Sequence, residues 1–281
     1  MTRSWAASRL LLTGTACATT ATSAALVGDV SIAEQAIFDR TAQASAQYSD
    51  AGHALDVDQL AALNRVQTTI AIRSDLLADA ARDLGVDVTD AQVNAAMLKP
   101  LSGTAGSDPQ TYRDQLLMEG ALKAQGADPL TFTNVTLTLD GARTSSRDAA
   151  LQARQALTGL PAGAPLPSLD PAVEPLTTTS VDLSAPVNIL LDGVADARPG
   201  DVLLNRDTDG TYYVIRVVNR TEAPAQVSAT AILAQDVDVQ QQVGAVALLQ
   251  AYAQHTGVSV NPRMGTWDPT SLQVVPTPTA S

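Results

Sequence analysis

At 281 residues and 45% apolar content, the chain is long enough for one large domain or two small ones with filled cores. Only 3% of residues are aromatic, so packing must come from small and aliphatic contacts, and no aromatic cage for a flat cofactor is evident. A net charge of −12 argues against nucleic acid or an anionic membrane surface as partner, because both are bound by neutralising phosphates with Lys and Arg.

The N-terminus carries Arg3 and Arg9, a short apolar run Leu10-Leu11-Leu12 and small residues through Ala24, which reads as an export leader over residues 1–24. No other run approaches the roughly 18 apolar residues a membrane span needs. Cys17 is the only cysteine, so neither an intramolecular disulfide nor a cysteine metal site can form. With Gly14-Thr15-Ala16 before it, Cys17 resembles the acylated cysteine of a bacterial lipobox, although leucine is usual where Gly14 stands. The alternative is a passive cysteine in a leader cleaved near Ala24. Lipidation implies an extracytoplasmic protein held by lipid at the outer face of the cytoplasmic membrane.

Leu26 and Val27 form a short extended run, Gly28-Asp29 is a turn, and Ser31 with Glu34 three residues on reads as a helix capping box. Ala33, Ala36, Ile37 and Ala44 supply the apolar face of that helix. The pattern Val27-Gly28-Asp29-x-x-Ile32 behind a leader resembles the start of the mature SurA-type and PrsA-type extracytoplasmic chaperones.

A long helix follows from about Asp58 to Leu84, roughly 40 Å of rod, with Leu63, Ile70, Leu77 and Leu84 every seven residues and Val66 and Ala80 between them. Gly85 ends it. Thr89 with Gln92 caps another helix carrying Val93, Ala96 and Met97; Pro100 and the run 102–107 break the pattern, and Asp108-Pro109 starts a helix with Tyr112, Leu116 and Leu122. Short helix, long helix and a Val86 to Val93 start are similar to the SurA N-terminal domain, here residues 25–126; periodicity alone fits any helical bundle.

Character changes at Gly126-Ala127-Asp128-Pro129, where Thr133, Val135, Leu137 and Leu139 alternate with Phe132, Asn134, Thr136 and Thr138 as in a strand. Ser145 or Ser146 opens a helix through Ala149, Ala153 and Leu157; Pro161 to Pro175 is irregular. A strand over Leu176 to Leu183, a helix from Val187 to Ala197, a turn at Arg198 to Asp201 and a hairpin turning at Asp207 to Gly210 lead into the strand Thr211 to Val218. This order resembles a parvulin-type prolyl isomerase domain, here residues 127–224. The family places one histidine in the first strand and another in the last, facing each other beneath the bound proline. Here the first strand has none and Tyr213 stands in the place of the second, which implies a degenerate domain without catalytic residues. Tyr213 is either a hydroxyl in that pocket or a strand tyrosine half in a core.

Beyond Pro224, Val239, Val243, Val246, Leu249 and Tyr252 mark a helix over Asp236 to His255, and Val258 to Val260 is expected to pair with Leu26-Val27. Residues 225–268 would so complete the N-terminal domain, and Val258 to Pro269 resembles the end of actinobacterial members of the SurA group. Residues 269–281 read as a disordered tail.

No phosphate loop, zinc spacing or nucleophile elbow is present. His53 and His255 read as loop or helix-end residues, Asp236 and Asp238 as helix-start carboxylates, and no cofactor or metal is expected. The resemblance implies an α+β protein: a mainly helical SurA-type domain from both chain ends with an inserted parvulin-like β-α-β domain. It implies a chaperone for unfolded or exported polypeptides, with candidate peptide-binding residues Met97, Met118, Phe132, Tyr212 and Tyr213; ordinary core packing is the alternative use of the methionines. Two other functions stay open: a working prolyl isomerase, and an envelope lipoprotein that scaffolds one dedicated partner.

Overall fold

The computed structural model describes residues 22–50, 52, 54–99, 108–161, 164, 167, 171–182, 194, 197–207, 210–234 and 243–277. Cys17 and residues 1–21 of the expected leader, His53, the break at 100–107, the helix expected over Val187 to Ala197 apart from Val194 and Ala197, and Asp236 and Asp238 lie outside them, whereas residues 22–24, also expected in the leader, are described. The architecture mixes helix and sheet, as expected.

The chain opens with β1 (Ser23–Val27), turns at Gly28-Asp29 and returns as β2 (Val30–Ala33) before α1 (Glu34–Asp50). Gly28 sits at φ +55°, which L side chains rarely adopt, and an added Cβ would lie 3.1 Å from Thr256 Cγ2. Ser31 therefore does not cap a helix. It lies in β2 opposite Leu26, its hydroxyl 3.0 Å from that of Ser23, because pairing the apolar β1 satisfies more backbone groups than a local cap does. The buried face of α1 is Ile37 and Thr41, while Ala33 and Ala36 are exposed.

The helix α2 (Val57–Asp83) carries a capping box from Asp56 and Gln59, and ends in a Schellman pair, Gly85 N–H to Arg82 O and Val86 N–H to Ala81 O. It packs against α1, β1, β2 and three elements further along the chain: α4 (Pro109–Gln125), α7 (Val243–Thr256) and β9 (Gln273–Val275). Its buried surface consequently wraps around the rod, taking in Ala62, Leu63, Ile72, Leu76 and Leu77, and the expected stripe fails at Ile70, which is 44% exposed. The short α3 (Asp90–Leu98) has the expected Thr89 and Gln92 box, and α4 the expected Asp108 cap with Pro109 in its first turn.

From Gly126 the chain enters β3 (Pro129–Thr144), which pairs antiparallel along its whole length with β6 (Tyr212–Ser228). This ribbon joins two cores. Its first turns, Leu130 and Phe132, pack with α1, α2, α4 and α7; further on, β4 (Glu174–Asp182) and β5 (Val202–Arg206) complete a four-stranded sheet of order β4-β3-β6-β5. The helix α5 (Arg147–Leu157), capped by Ser146, lays Ala149, Ala150, Ala153 and Leu157 over one face, against Ala142 and Val214. Strand β6 runs past the expected end, through Pro224, because that stretch has β3 on one side and no other strand among the described residues. After it come α6 (Ala229–Leu233) and then α7.

The end of the chain returns to its start. The strand β7 (Val258–Val260) pairs antiparallel with β1 in the register Ala25↔Val260, Leu26↔Ser259 and Val27↔Val258, giving a sheet of order β2-β1-β7. The segment after it is not a tail as far as Val275: β8 (Thr266–Asp268) and β9 form a hairpin with Leu272, Val274 and Val275 buried. Pro276 follows the ladder and does not interrupt it.

Candidate functional site

The five residues expected to bind peptide do not converge. Met118 and Phe132 are 2% and 6% exposed and fill the main core, as does Met264, while Met97 stands 38% exposed on α3. Tyr212 and Tyr213, neighbours in β6, point to opposite faces of the sheet. Tyr212 packs on the α5 side beneath the Arg206 guanidinium, 5.2 Å from its ring centroid; Tyr213 lies half-buried against the cluster of Leu137, Leu139, Ile215 and Val217. Tyr213 is opposite Arg143 in the register of β3. Among the described residues the one histidine is His255, on α7, whose Nδ1 is 2.6 Å from Ala251 O.

An open groove of about 490 Å³ does exist between α1 and α2. Phe38 stands at its rim, 41% exposed, and Ala42, Ser45, Ala46 and Leu60 form its walls. Thr41 Oγ1 donates across it to Asn64 Oδ1 at 2.7 Å, and among the described residues no charged side chain lines it. Alanine and serine at one-turn spacings on α1 leave the groove open, and Phe38 belongs to none of the buried clusters of the described residues.

A second cleft, about 220 Å³, marks the joint between α2 and the sheet. Arg206 Nη1 donates to Asp56 Oδ2 at 2.5 Å, and Gln59 Nε2 donates to Asp207 O at 2.8 Å. Burial alone would raise the Asp56 pKa, but the hydrogen bonds from the Gln59 backbone and Arg206 outweigh it and hold the carboxyl below its usual range. The cleft joins two parts of the fold through paired charges.

Two ionic features, one buried and one half-buried, were not anticipated from the sequence. Arg216 is 0% exposed and forks onto Asp140 at 2.8 and 2.6 Å across the β3-β6 pair, with a third bond to Ala164 O at 2.6 Å. The signal was present in the order Val214-Ile215-Arg216-Val217, a charge inside an apolar strand. Asp114, on α4, accepts from Ser74 Oγ at 3.0 Å and Gln110 Nε2 at 2.7 Å, and burial pushes its pKa up to about 6. Burial, aided by Asp79, also raises the pKa of nearby Asp75. Among the described residues, no group of three His, Cys, Asp or Glu side chains is placed to hold a metal ion, and no helix is long and apolar enough to cross a membrane.

No protein-family model matches this chain, and no curated protein sequence matches it.

Proposed function

We propose that the protein is an extracytoplasmic chaperone of the SurA type that holds unfolded or newly exported polypeptides and does not isomerise prolines. In this reading both chain ends build the helical domain, and the ribbon-and-sheet segment is a degenerate parvulin-like insertion. Two arrangements support it: β7 and α7 return to β1 and α2, and the first and last strands of the insertion, β3 and β6, lie side by side as a facing histidine pair requires. Tyr213 occupies the second histidine's place and spends half its ring on the core.

The observation that carries the function is the uncharged groove beside α1, with Phe38 held 41% in solvent at its rim. Such a surface binds apolar segments of many sequences without needing shape complementarity to one. The test is light scattering from a chemically unfolded, proline-poor client with the chain added at increasing ratio. Suppression is expected to saturate near equimolar chain. Phe38→Ser is expected to weaken suppression severalfold while changing stability by no more than about 0.5 kcal/mol, as surface substitutions do. An unaltered Phe38→Ser variant would remove the groove from the function, and no suppression at severalfold excess would remove the chaperone reading.

A further inference from the structure

We infer that the pocket between β2, α1, α2 and the start of α4 binds a small aliphatic zwitterion, an amino acid or short peptide with both ends free. Its ammonium meets Asp75 and its carboxylate meets Arg40. The site goes beyond polypeptide holding and shares no lining residue with the groove beside Phe38.

The pocket is open and about 320 Å³, at the small end of ligand-sized cavities. Its floor is the surface of the main core: Ile37 and Ala71 are 0% and 6% exposed, and Ile32 joins them from β2. Two opposite charges line it. Arg40 stands on α1 one turn after Ile37, and Asp75 on α2 one turn after Ala71, so the two helices deliver both charges to one apolar floor. Arg40 is exposed and Asp75 half-buried. Among the described residues neither makes a hydrogen bond or a contact ion pair, although Asp75 feels the charge of Arg40. Burial and the Asp79 carboxylate raise the Asp75 pKa, and Arg40 offsets them only in part. A carboxylate sheltered from water without a partner is the costly arrangement that a cation relieves.

The rest of the polar end is fixed. Ser74 Oγ donates to Asp114 Oδ1 at 3.0 Å, and Gln110 Nε2 donates to that oxygen at 2.7 Å and to Ser74 Oγ at 3.2 Å. These bonds hold Ser74 and Gln110 in place before a ligand arrives, so little ordering is left to oppose binding. The charges also select. A bare anion meets Asp75, with Asp79 and Asp114 near it, and a bare cation meets Arg40; a molecule with both signs is attracted twice. A guanidinium takes a carboxylate in two parallel bonds, and Asp75 has both oxygens to offer an ammonium. The apolar floor suits an aliphatic side chain, and among the described residues nothing aromatic lines the pocket.

The test is methyl NMR of the full chain labelled at isoleucine Cδ1, titrated with leucine and with leucyl-leucine. The Ile32 and Ile37 signals are expected to shift saturably, while that of Ile215, in the sheet core, stays. A response to either molecule carries the class, and the tighter of the two names its source. Leucinamide lacks the carboxylate and N-acetylleucine lacks the ammonium, so each should bind at least about tenfold more weakly than leucine. Arg40→Gln should weaken leucine to the level of leucinamide and leave leucinamide unchanged. Asp75→Asn should do the same with respect to N-acetylleucine.

Equal affinities for leucine and its two blocked forms would overturn the zwitterion site, as would Ile32 and Ile37 signals that neither leucine nor leucyl-leucine moves. An Arg40→Gln variant that loses leucinamide along with leucine would make Arg40 a wall of the pocket and not the carboxylate's partner, and would overturn it too. Light scattering from the unfolded client reads polypeptide holding separately, so either claim can fail without the other.

Discussion

Asp140→Asn tests the ion pair at the centre of the sheet. In the folded protein the Arg216 guanidinium has no access to water and is held by both oxygens of Asp140, itself 8% exposed, and by Ala164 O. Its Nη1 already lacks a partner, so there is no spare acceptor to take over. The substitution leaves a cation buried opposite a neutral amide, and removing one member of such a pair typically costs about 3–5 kcal/mol. At about 2–4 °C per kcal/mol for chains of this class, the melting temperature should fall by about 6–20 °C. Equilibrium urea unfolding followed by circular dichroism measures the loss directly, with the m-value showing whether the folded state has loosened. The double variant Asp140→Leu, Arg216→Met removes both charges and should recover most of the loss, because an apolar pair has no desolvation penalty to offset. Raising salt from about 0.05 to 0.5 M should change the wild-type stability little through this pair, since mobile ions do not reach it. A loss below about 1 kcal/mol in Asp140→Asn, or a double variant worse than the single, would refute the reasoning.

Other expectations concern stability and pH. Asp114 titrates near 6 in the fold against 3.8 in a free chain, so the proton it binds stabilises the folded state. That contribution is complete below about pH 3.8 and lost as pH rises through about 6, a swing of roughly 3 kcal/mol. Asp114→Asn should therefore be up to about 3 kcal/mol more stable than wild type at pH 7.5 and no more stable at pH 4, as read from paired urea curves. Gly141→Ala should fail to give soluble folded chain, because the new Cβ would sit 1.9 Å from Val214 O inside the sheet. Gly159→Ala, at φ +83° with nothing within 4 Å, should fold and cost only about 1–2 kcal/mol in a thermal melt, so soluble yield of the two variants separates a backbone clash from the strain of a positive φ alone.

What could be read in advance was whatever local chemistry decides. The Thr89-Gln92 box, the Asp108-Pro109 start and the Ser146 cap each satisfy orphan amides within one turn, and each appears where the residues put it. The pairing of Val258 to Val260 with Leu26 and Val27 was expected as well, from the resemblance in which the later chain returns to complete the first domain, and it forms. Ser31 and Glu34 make as good a local box as Thr89 and Gln92, yet β1 recruits Ser31 into a hairpin, and nothing local records that competition. A heptad stripe presumes one neighbour, whereas α2 has neighbours on several sides, so Ile70 could be hydrophobic and remain outside. The candidate site was least legible. Met118 and Phe132 have the same composition whether they fill a core or line a surface, and only their depth in the packed structure separates the two uses. The pairing of β7 with β1 depends on a register between distant segments, which no single stretch displays.

That register bears on how the protein is made. During synthesis β1 emerges well before its partner β7, so until β7 follows the β1-β2 hairpin has one flank without its native mate. Contacts this distant close slowly, and an unpaired apolar strand that waits is a place where another chain can add. Ala24, Ala25 and Val27 are therefore fully enclosed only when α7 and β7 arrive.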